Sequence, residues 1–172
     1  MIKTHSLRRL IRCLRLKKHP EGGYYRETYR SAERITKTAL PRRYPARRNM
    51  ATAIYYLLPR GEFSAFHRIQ SDEVWHFYDG APLDLALIST RGVFSKVRLG
   101  LALGRGERPQ ILIPRGTWFA AAPAAAQAPF TLAGCTVAPG FDFADFEMAA
   151  RQGLLKKYPL HRRWILKWTR GR

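Results

Sequence analysis

Alternation of apolar and polar residues is clearest between residues 61 and 80, in the stretch GEFSAFHRIQSDEVWHFYDG. Successive side chains of a strand point to opposite faces, so this alternation predicts strands over residues 62–69 and 73–78. The intervening residues 70–72, Gln-Ser-Asp, predict a tight hairpin turn. One face of the first strand carries Phe63, Ala65, His67 and Ile69, and one face of the second carries Glu73, Trp75 and Phe77. If both faces point inward, His67 and Glu73 project into one apolar cavity.

Similar patterns predict short strands along most of the chain, at residues 23–31, 50–58, 83–89, 93–99, 108–113, 117–122 and 129–138. Leucines at helical spacing predict a helix over residues 6–16 with Ser6 as N-cap, and residues 141–150 predict another that begins at Asp142. Residues 32–49 predict a flexible excursion, and residues 120–128 predict an exposed alanine-rich loop. Many short strands separated by turns indicate an all-β double-sheet jelly roll or barrel with short terminal helices.

Length and composition favour one globular domain over residues 1–172, since 46% of the residues are hydrophobic and 12% are aromatic. Residues 1–18 are assigned to a basic N-terminal helix and residues 160–172 to a basic C-terminal tail. No apolar run approaches the roughly 20 residues that span a bilayer, so we expect no membrane association. Cys13 and Cys135 lack the spacing of a disulfide framework, which indicates free thiols, a reducing compartment and a cytoplasmic protein.

The charge of the chain is concentrated at its two ends. The sequence has 31 Lys and Arg against 12 Asp and Glu, for a net charge of +19. Residues 1–48 hold 15 basic and 3 acidic residues, residues 49–150 hold 8 and 9, and residues 151–172 hold 8 and none. Such ends are typical either of a solvated basic surface, which we favour, or of a protein that binds nucleic acid or another polyanion.

The spacing around His67 resembles the first motif of the cupin superfamily, in which Gly, His-x-His, Glu and Gly follow one another at fixed intervals. Gly61, His67, Glu73 and Gly80 fall on this pattern. Pro114, Arg115 and Gly116 match the turn of the second cupin motif. The segments HPEGGYYRETYRS, SDEVWHFY, PRGTWFAA and GCTVAPGFDFADFEMA are similar to the small single-domain cupins of largely undefined function, and the resemblance covers residues 19–158.

This resemblance implies a cupin jelly roll, a homodimer and a structural similarity to the dTDP-4-dehydrorhamnose epimerases. A cupin metal site normally has four ligands, but Ile69 and Phe119 replace two of the expected histidines. A site for one divalent transition metal would therefore depend on His67 and Glu73, completed by Gln110 or water. His76 lies out of phase with Glu73 and is expected on the outer face of the sheet or at the dimer contact.

His67 and Glu73 are the candidate catalytic residues, since a histidine and a carboxylate in one cavity can act as a base and its orienting partner. Two alternatives remain open: half of a metal site, and a hydrogen-bonded pair that only holds the hairpin. The candidate ligand-binding residues are Tyr25, Arg26, Trp75, Phe77, Gln110, Trp118 and Phe119. Arg26 or Arg30 would anchor an anion at the cavity mouth, and one or two of the aromatic rings would stack on a ring-shaped ligand. Cys135 is expected to be a core thiol rather than a nucleophile.

Three functions follow from these residues. The first is a cavity for a small polar or anionic ligand. The resemblance to the epimerases implies a nucleotide sugar or another ring compound as this ligand, and epimerase or isomerase chemistry in which His67 is the base. In that case the sequence does not identify the acidic partner of His67, and Tyr25, Tyr29, Tyr55 and Tyr56 are candidates for an acid. The second is a metal-dependent oxygenase or isomerase. The third is a non-catalytic module that binds polyanions through its basic ends.

Overall fold

A computed structural model describes residues 6–124 and 129–171. Its thirteen strands, numbered β1 to β13 in chain order, are Lys17–Lys18, Tyr24–Arg30, Arg34–Ile35, Arg48–Asn49, Thr52–Pro59, Ser64–Arg68, Asp72–Gly80, Leu83–Ile88, Phe94–Leu99, Gln110–Ile113, Trp118–Pro123, Phe130–Ala138 and Glu147–Met148. Helices α1, α2 and α3 are Leu7–Cys13, Arg151–Lys157 and Arg162–Trp168. Short 3-10 turns span Lys37–Ala39, Leu103–Arg105, Phe143–Asp145 and Pro159–His161.

Two antiparallel sheets form the body of the fold. The six-stranded sheet has the order β1-β2-β5-β12-β7-β10, and the five-stranded sheet has the order β13-β6-β11-β8-β9. Strand β12 lies between β5 and β7, with Cys135 opposite Ile54 on one side and Trp75 on the other. The all-β jelly roll expected from the sequence is confirmed.

Apolar side chains fill the space between the sheets, and alternate residues cover the outside. In β11, Phe119 and Ala121 belong to the interior cluster, whereas Trp118 and Ala120 pack outward against α2 and α3. Both faces of such strands are buried, so their sequences are nearly continuous apolar runs. The predicted inward set of β8, Leu83, Leu85 and Leu87, lies in the interior cluster.

The terminal helices cover opposite outer faces of the sandwich. Helix α1 packs Leu10 on the six-stranded sheet, and Ser6 caps it by accepting a hydrogen bond from the Arg9 amide. Helices α2 and α3 pack Leu154 and Ile165 on the five-stranded sheet. The arginines of α1 and the lysines and arginines of the C-terminal helices therefore form two separate basic surfaces. Residues 1–5 of the assigned N-terminal helix and residue 172 of the tail lie outside the described residues.

The connection between the two strands at the centre of the sequence is not a hairpin. Strand β6 pairs with β11 and β13, whereas β7 pairs with β10 and β12 in the other sheet. The turn at residues 69–71 therefore carries the chain between sheets, and it is held by the buried Tyr44, whose hydroxyl lies 2.9 Å from Ser71 Oγ. As a result His67 and Glu73 come from opposite walls of the barrel.

Three other segment predictions are wrong. Residues 141–150 form the turn Phe143–Asp145 and strand β13 instead of a helix, because β13 pairs with the edge of β6. Residues 32–49 contain β3 and β4 and bury Arg48, whose guanidinium pairs with Asp145 at 2.6 Å. Residues 120–123 belong to β11, where Ala120 and Ala121 are fully buried; residues 125–128 lie outside the described residues.

Within the described residues, no helix has the length and apolar character that crossing a membrane requires. The homodimer stays a prediction, for which light scattering on the purified protein is the direct test.

Candidate active site

A cavity of about 450 Å³ opens at one end of the barrel, between the two sheets. Strands β2, β5, β7 and β12 supply one wall, β6 supplies His67, and residues 17–21 and 141–146 form the rim. The size falls in the range of small-molecule sites. About half of the lining residues are apolar or aromatic, and most of the others carry ionisable side chains.

The turn that carries Glu21 requires glycine at the two following positions. Gly22 and Gly23 have φ angles of +125° and +69°, which L-residues rarely adopt. A Cβ atom on Gly22 would also collide with the Phe63 carbonyl oxygen. Tyr56 donates its hydroxyl proton to the Gly22 carbonyl at 2.7 Å. These contacts direct the Glu21 side chain inward, where it is 4% exposed.

Glu21 is the carboxylate that pairs with His67. Its Oε2 lies 2.9 Å from His67 Nε2, and its Oε1 accepts a hydrogen bond from Ser64 Oγ at 3.0 Å. The pairing register of β6 with β11 shifts between Ser64 and His67, as at a β-bulge, so both side chains reach the same carboxylate. Burial opposes ionisation of Glu21, but the charge and hydrogen bond of His67 lower its pKa to about 2.

His67 faces an acceptor at each ring nitrogen. Nδ1 lies 2.7 Å from the Ala65 carbonyl oxygen, and Nε2 faces the Glu21 carboxylate. Both nitrogens must carry a proton to satisfy these acceptors, so the ring is an imidazolium. Burial lowers the pKa of His67, but the Glu21 charge and hydrogen bond outweigh it, and the net shift is upward. His67 therefore has no free lone pair with which to accept a proton.

Glu73 is the contrasting carboxyl group. It is 7% exposed and forms no ion pair with any described residue. Burial and the negative charge of Glu21 outweigh the charge of His67 and raise the pKa of Glu73 to about 7. The thiol of Cys135 and the indole of Trp75 lie beside it and favour its ionised form. Trp75 Nε1 is the buried side-chain polar atom that lacks a hydrogen-bond partner among the described residues.

Aromatic rings surround the outer half of the cavity. The His19 ring lies 4.5 Å from Tyr25 in an edge-to-face contact and 6.3 Å from Phe143 in a stacked arrangement, measured between centroids. Phe146 lies 5.4 Å from His67. At the rim the Lys17 ammonium sits 5.0 Å from the centroid of Tyr25. These rings form a wall suited to a flat ligand.

The seven predicted ligand-binding residues fall into three groups. Tyr25 and Trp75 line the cavity. Phe77 and Phe119 pack in the interior cluster, with the Phe119 ring 4.0 Å from that of His67. Arg26, Gln110 and Trp118 do not reach the cavity: Arg26 donates to the Leu14 carbonyl, Gln110 bonds His76, and Trp118 packs toward the C-terminal helices. These three lie on the outer faces of the sheets because each is out of phase with the inward residues of its strand.

The tyrosine candidates for an acid also separate. Tyr25 and Tyr56 line the cavity. Tyr55 contacts Tyr78 on the outer face of the six-stranded sheet, and Tyr29 is mostly exposed. His76 lies on the same outer face, where its Nε2 is 3.1 Å from Thr136 Oγ1, as its phase predicts.

The residues do not fit a cupin metal centre. Gln110, the expected third ligand beside His67 and Glu73, lies on the outer face with its amide 2.9 Å from His76 Nδ1. His67 Nε2 is occupied by Glu21, and Ile69 and Phe119 are apolar at the two remaining ligand positions. No group of three or more His, Cys, Asp or Glu among the described residues is arranged to hold an ion.

His19 and Glu21 are the site residues that sequence reasoning missed. The resemblance implies that the segment PEGGYYRETY forms part of the pocket or of a dimer contact. The residues HPEGG themselves indicate only the turn that ends a helix, since proline and paired glycines are ordinary turn signals. The acidic residue directly before two glycines was the available signal. The helix predicted over residues 141–150 would place Phe143 and Phe146 together on one helix face, whereas both lie at the cavity rim.

Comparison with known proteins identifies the family. The model of the protein family described as "Cupin superfamily (DUF985)" matches residues 8–149. The chain belongs to this cupin family. A curated relative, "Uncharacterized protein YML079W" of Saccharomyces cerevisiae, is 31% identical over 160 residues, which cover 88% of this chain and 79% of the relative.

Two solved cupin structures match nearly the whole chain. Protein SO0799 from Shewanella oneidensis is 39% identical with a TM-score of 0.86, covering 98% of this chain and 99% of its own. A hypothetical protein from Leishmania major is 33% identical with a TM-score of 0.87, covering 97% and 100%. Oxalate decarboxylase from Bacillus subtilis is 12% identical with a TM-score of 0.53 and shares the fold alone. At the family level the chain is a small-molecule-binding cupin.

Proposed function

We propose that the cavity binds a small polar ring compound and moves a proton at a carbon next to the carbonyl group, as an isomerase or epimerase does. One observation carries this proposal. Glu73 faces a cavity of ligand size, lacks an ion pair within the described residues, and has a pKa of about 7. A carboxyl group with such a pKa exchanges protons readily near neutral pH, which is the requirement for a general acid–base group.

The reaction step uses the carboxylate form of Glu73. The carboxylate accepts the proton from the carbon next to the carbonyl, and the electrons of the C–H bond move onto the carbonyl oxygen to give an enolate. Glu73, now a carboxylic acid, returns the proton to the same carbon, and the electron pair on the oxygen re-forms the carbonyl group. Where the substrate is an unsaturated ketone, the enolate is a dienolate and the proton can return to its far carbon instead. No proton or electron is gained or lost overall.

His67 and Glu21 act as a fixed charge pair in this scheme. The positive imidazolium lies close enough to Glu73 to lower the pKa of that carboxyl, so it also stabilises negative charge that develops on the substrate. Because Glu21 and Ala65 occupy both ring nitrogens, His67 has no lone pair available. We therefore assign the base to Glu73 instead of His67.

Hydrogen exchange at carbon tests the proposal. Cyclopentanone, cyclohexanone and fructose are incubated in deuterated buffer with wild type, Glu73→Gln or Glu27→Gln, and loss of the α-proton signal is followed by NMR. We expect wild type to accelerate exchange of at least one probe and Glu73→Gln to be slower by about 100-fold or more. Exchange should rise as the pH rises through about 7, since the carboxylate is the active form.

Glu27→Gln is the matched control, because Glu27 also lines the cavity but pairs with Arg30 at 2.7 Å. It should exchange like wild type. Equal rates for wild type and Glu73→Gln would contradict the proposal.

Neither alternative function gains support from the site. The metal-dependent enzyme lacks a fitting ligand set, so we derive no step through a metal. The polyanion-binding module would need its basic ends to act separately, since α1 and α3 lie on opposite faces of the sandwich. Binding to a polyanion that weakens steeply with salt and is lost on trimming either end remains its test.

A further inference from the structure

The charged groups that line the cavity nearly balance, although the chain as a whole carries a net charge of +19. The cations are Lys17, Arg30 and the His67 imidazolium, and the anions are Glu21, Glu27 and Asp142. His67 pairs with Glu21 inside the cavity at 2.9 Å. Arg30 at the rim is bound by both carboxylate oxygens of Glu27 and also by Asn49 and the Phe141 carbonyl. The cavity is therefore close to neutral in a strongly basic protein.

Among the described residues, the cavity lacks the unpaired arginine and clustered lysine groups that usually bind a phosphorylated ligand. Phosphate groups carry nearly two negative charges and are typically held by free Arg forks or Lys clusters. The hydrogen-bonding positions of Arg30 are already occupied, and Lys17 remains as a rim cation without an ion pair among the described residues. Glu73 adds negative charge whenever it ionises. This arrangement opposes the nucleotide sugars that the resemblance implied.

His19 offers a hydrogen-bond donor to the cavity. Its Nδ1 accepts a hydrogen bond from the Glu21 backbone amide at 3.4 Å and lies 3.6 Å from Glu21 Oε2. We assign the proton of the neutral ring to Nε2, because the amide hydrogen bond requires the lone pair of Nδ1. Nε2 has no hydrogen-bond partner among the described residues, and His19 lines the cavity. Burial, with the charges of His67 and Lys17, outweighs the effect of Glu21 and lowers the pKa of His19, so the ring is neutral.

The rings around His19 set the shape of what binds there. Tyr25 contacts its edge, and the nearly parallel ring of Phe143 lies 25° from its plane. Phe143 is about half exposed, so its ring borders the cavity entrance. A flat ligand can lie against these rings with an oxygen at Nε2.

We infer that the ligand is an uncharged, flat ring compound whose carbonyl oxygen accepts a hydrogen bond from His19 Nε2, and that phosphorylated compounds are excluded. This inference rests on the proposed function, since it concerns the same cavity. His19 is a positioning residue that fixes the carbonyl group.

Ring-matched probes test the inference by calorimetric titration. Acetophenone carries the carbonyl oxygen, isopropylbenzene has a similar shape without it, and phenyl phosphate carries the charge. We expect acetophenone to bind wild type about fivefold more tightly than isopropylbenzene, the effect of one neutral hydrogen bond. Phenyl phosphate should bind more weakly than either.

Histidine variants then locate the donor. His19→Phe keeps a ring but removes the N–H group, and should abolish the preference for acetophenone while leaving isopropylbenzene unchanged. His19→Gln, which retains an N–H donor of similar reach, should keep part of the preference. His76→Phe on the outer face of the sheet is the matched control and should leave all three affinities unchanged. Circular dichroism confirms that each variant folds.

The outcomes separate the two proposals. A preference for acetophenone that survives in His19→Phe, or tight binding of phenyl phosphate, overturns the inference while leaving a ligand-binding cavity. Probe binding as expected without any α-proton exchange supports the inference and counts against the proposed reaction. If no ring probe binds wild type, the proposed function fails and the inference fails with it.

Discussion

Two parts of the cavity lining each contribute one buried glutamate, and the two glutamates behave in opposite ways. We call residues 17–21 of the rim the loop wall and the wall formed by β2, β5, β7 and β12 the strand wall. Glu21 on the loop has a pKa of about 2, whereas Glu73 on β7 has a pKa of about 7. Their exposures are 4% and 7%, so burial alone does not distinguish them. Glu21 contacts an imidazolium and a serine hydroxyl, and Glu73 has no cation within ion-pair distance among the described residues. Partners, not depth, decide which carboxyl is a fixed charge and which can exchange a proton.

The largest expected effect comes from removing the charge of the loop wall. Glu21→Gln leaves the buried His67 imidazolium without its partner, which typically costs about 3–5 kcal/mol of unfolding free energy. Urea denaturation near neutral pH measures it. Glu27→Gln, which breaks a partly exposed pair, should cost less than about 1 kcal/mol. Similar small losses for both variants would remove the contrast between the two walls.

For Glu73 in the strand wall, we expect removal of the carboxyl group to increase stability above pH 7 instead of decreasing it. The folded pKa of Glu73, about 7, lies above the ordinary value of 4.5, so the folded state binds the proton more tightly than the unfolded state. The stability that this group contributes is therefore fully present below pH 4.5 and is lost as the pH rises through 7. The loss amounts to about 3 kcal/mol of unfolding free energy. Glu73→Gln removes that loss. Denaturation curves at several pH values should show the variant more stable than wild type above pH 7, and a variant less stable there would contradict this.

Thiol reactivity gives a third test, because Cys135 lies beside Glu73. Burial raises the pKa of the Cys135 thiol well above its ordinary value, and the charges of Glu73 and Glu21 raise it further. Cys13 is exposed. In Cys13→Ser the remaining thiol should react with an aromatic disulfide reagent about 100-fold or more slowly than Cys13 does in Cys135→Ser. Comparable rates would show that the strand wall is open to solvent.

The smallest expected effect concerns the support of the loop wall. Arg170 donates to the Glu21 carbonyl at 3.1 Å and lies over the ring of Phe63. Arg170→Ala should cost about 1 kcal/mol and speed amide exchange at residues 22 and 23. Arg163→Ala, an exposed arginine of the same helix region, is the control. If the amide exchange rates at residues 22 and 23 are unchanged in Arg170→Ala, Arg170 does not stabilise the loop that carries Glu21.

Sequence patterns predicted the strands well because both faces of most strands are covered. The runs that became β5, β8 and β12 are mostly apolar, and their bounds differ from the prediction by at most a few residues. The inward phase of β7, with Glu73, Trp75 and Phe77, also follows from simple alternation. Simple alternation does not give the phase of β6. A register shift at residues 64–67 turns Ser64 inward and leaves Phe63 in the apolar cluster under the C-terminal helices.

The site was only half predictable for a related reason. His67 and Glu73 are in one contiguous stretch, but Glu21 reaches His67 from 46 residues earlier in the chain, through a turn whose direction depends on two positive φ angles. Alternation also cannot tell which sheet a strand joins, so β6 and β7 were paired as a hairpin. Gln110 was placed near the metal ligands because its strand was found but its phase was not.

The contact between Arg170 and Glu21 joins residues 149 positions apart. Contacts of such long range form slowly, because the chain between them must first be brought together. During synthesis the turn that holds Glu21 emerges early, yet its last support is added only after the helix at Arg162–Trp168 docks. We therefore expect the loop that carries Glu21, although translated early, to gain this support only after the barrel and the C-terminal helices have formed.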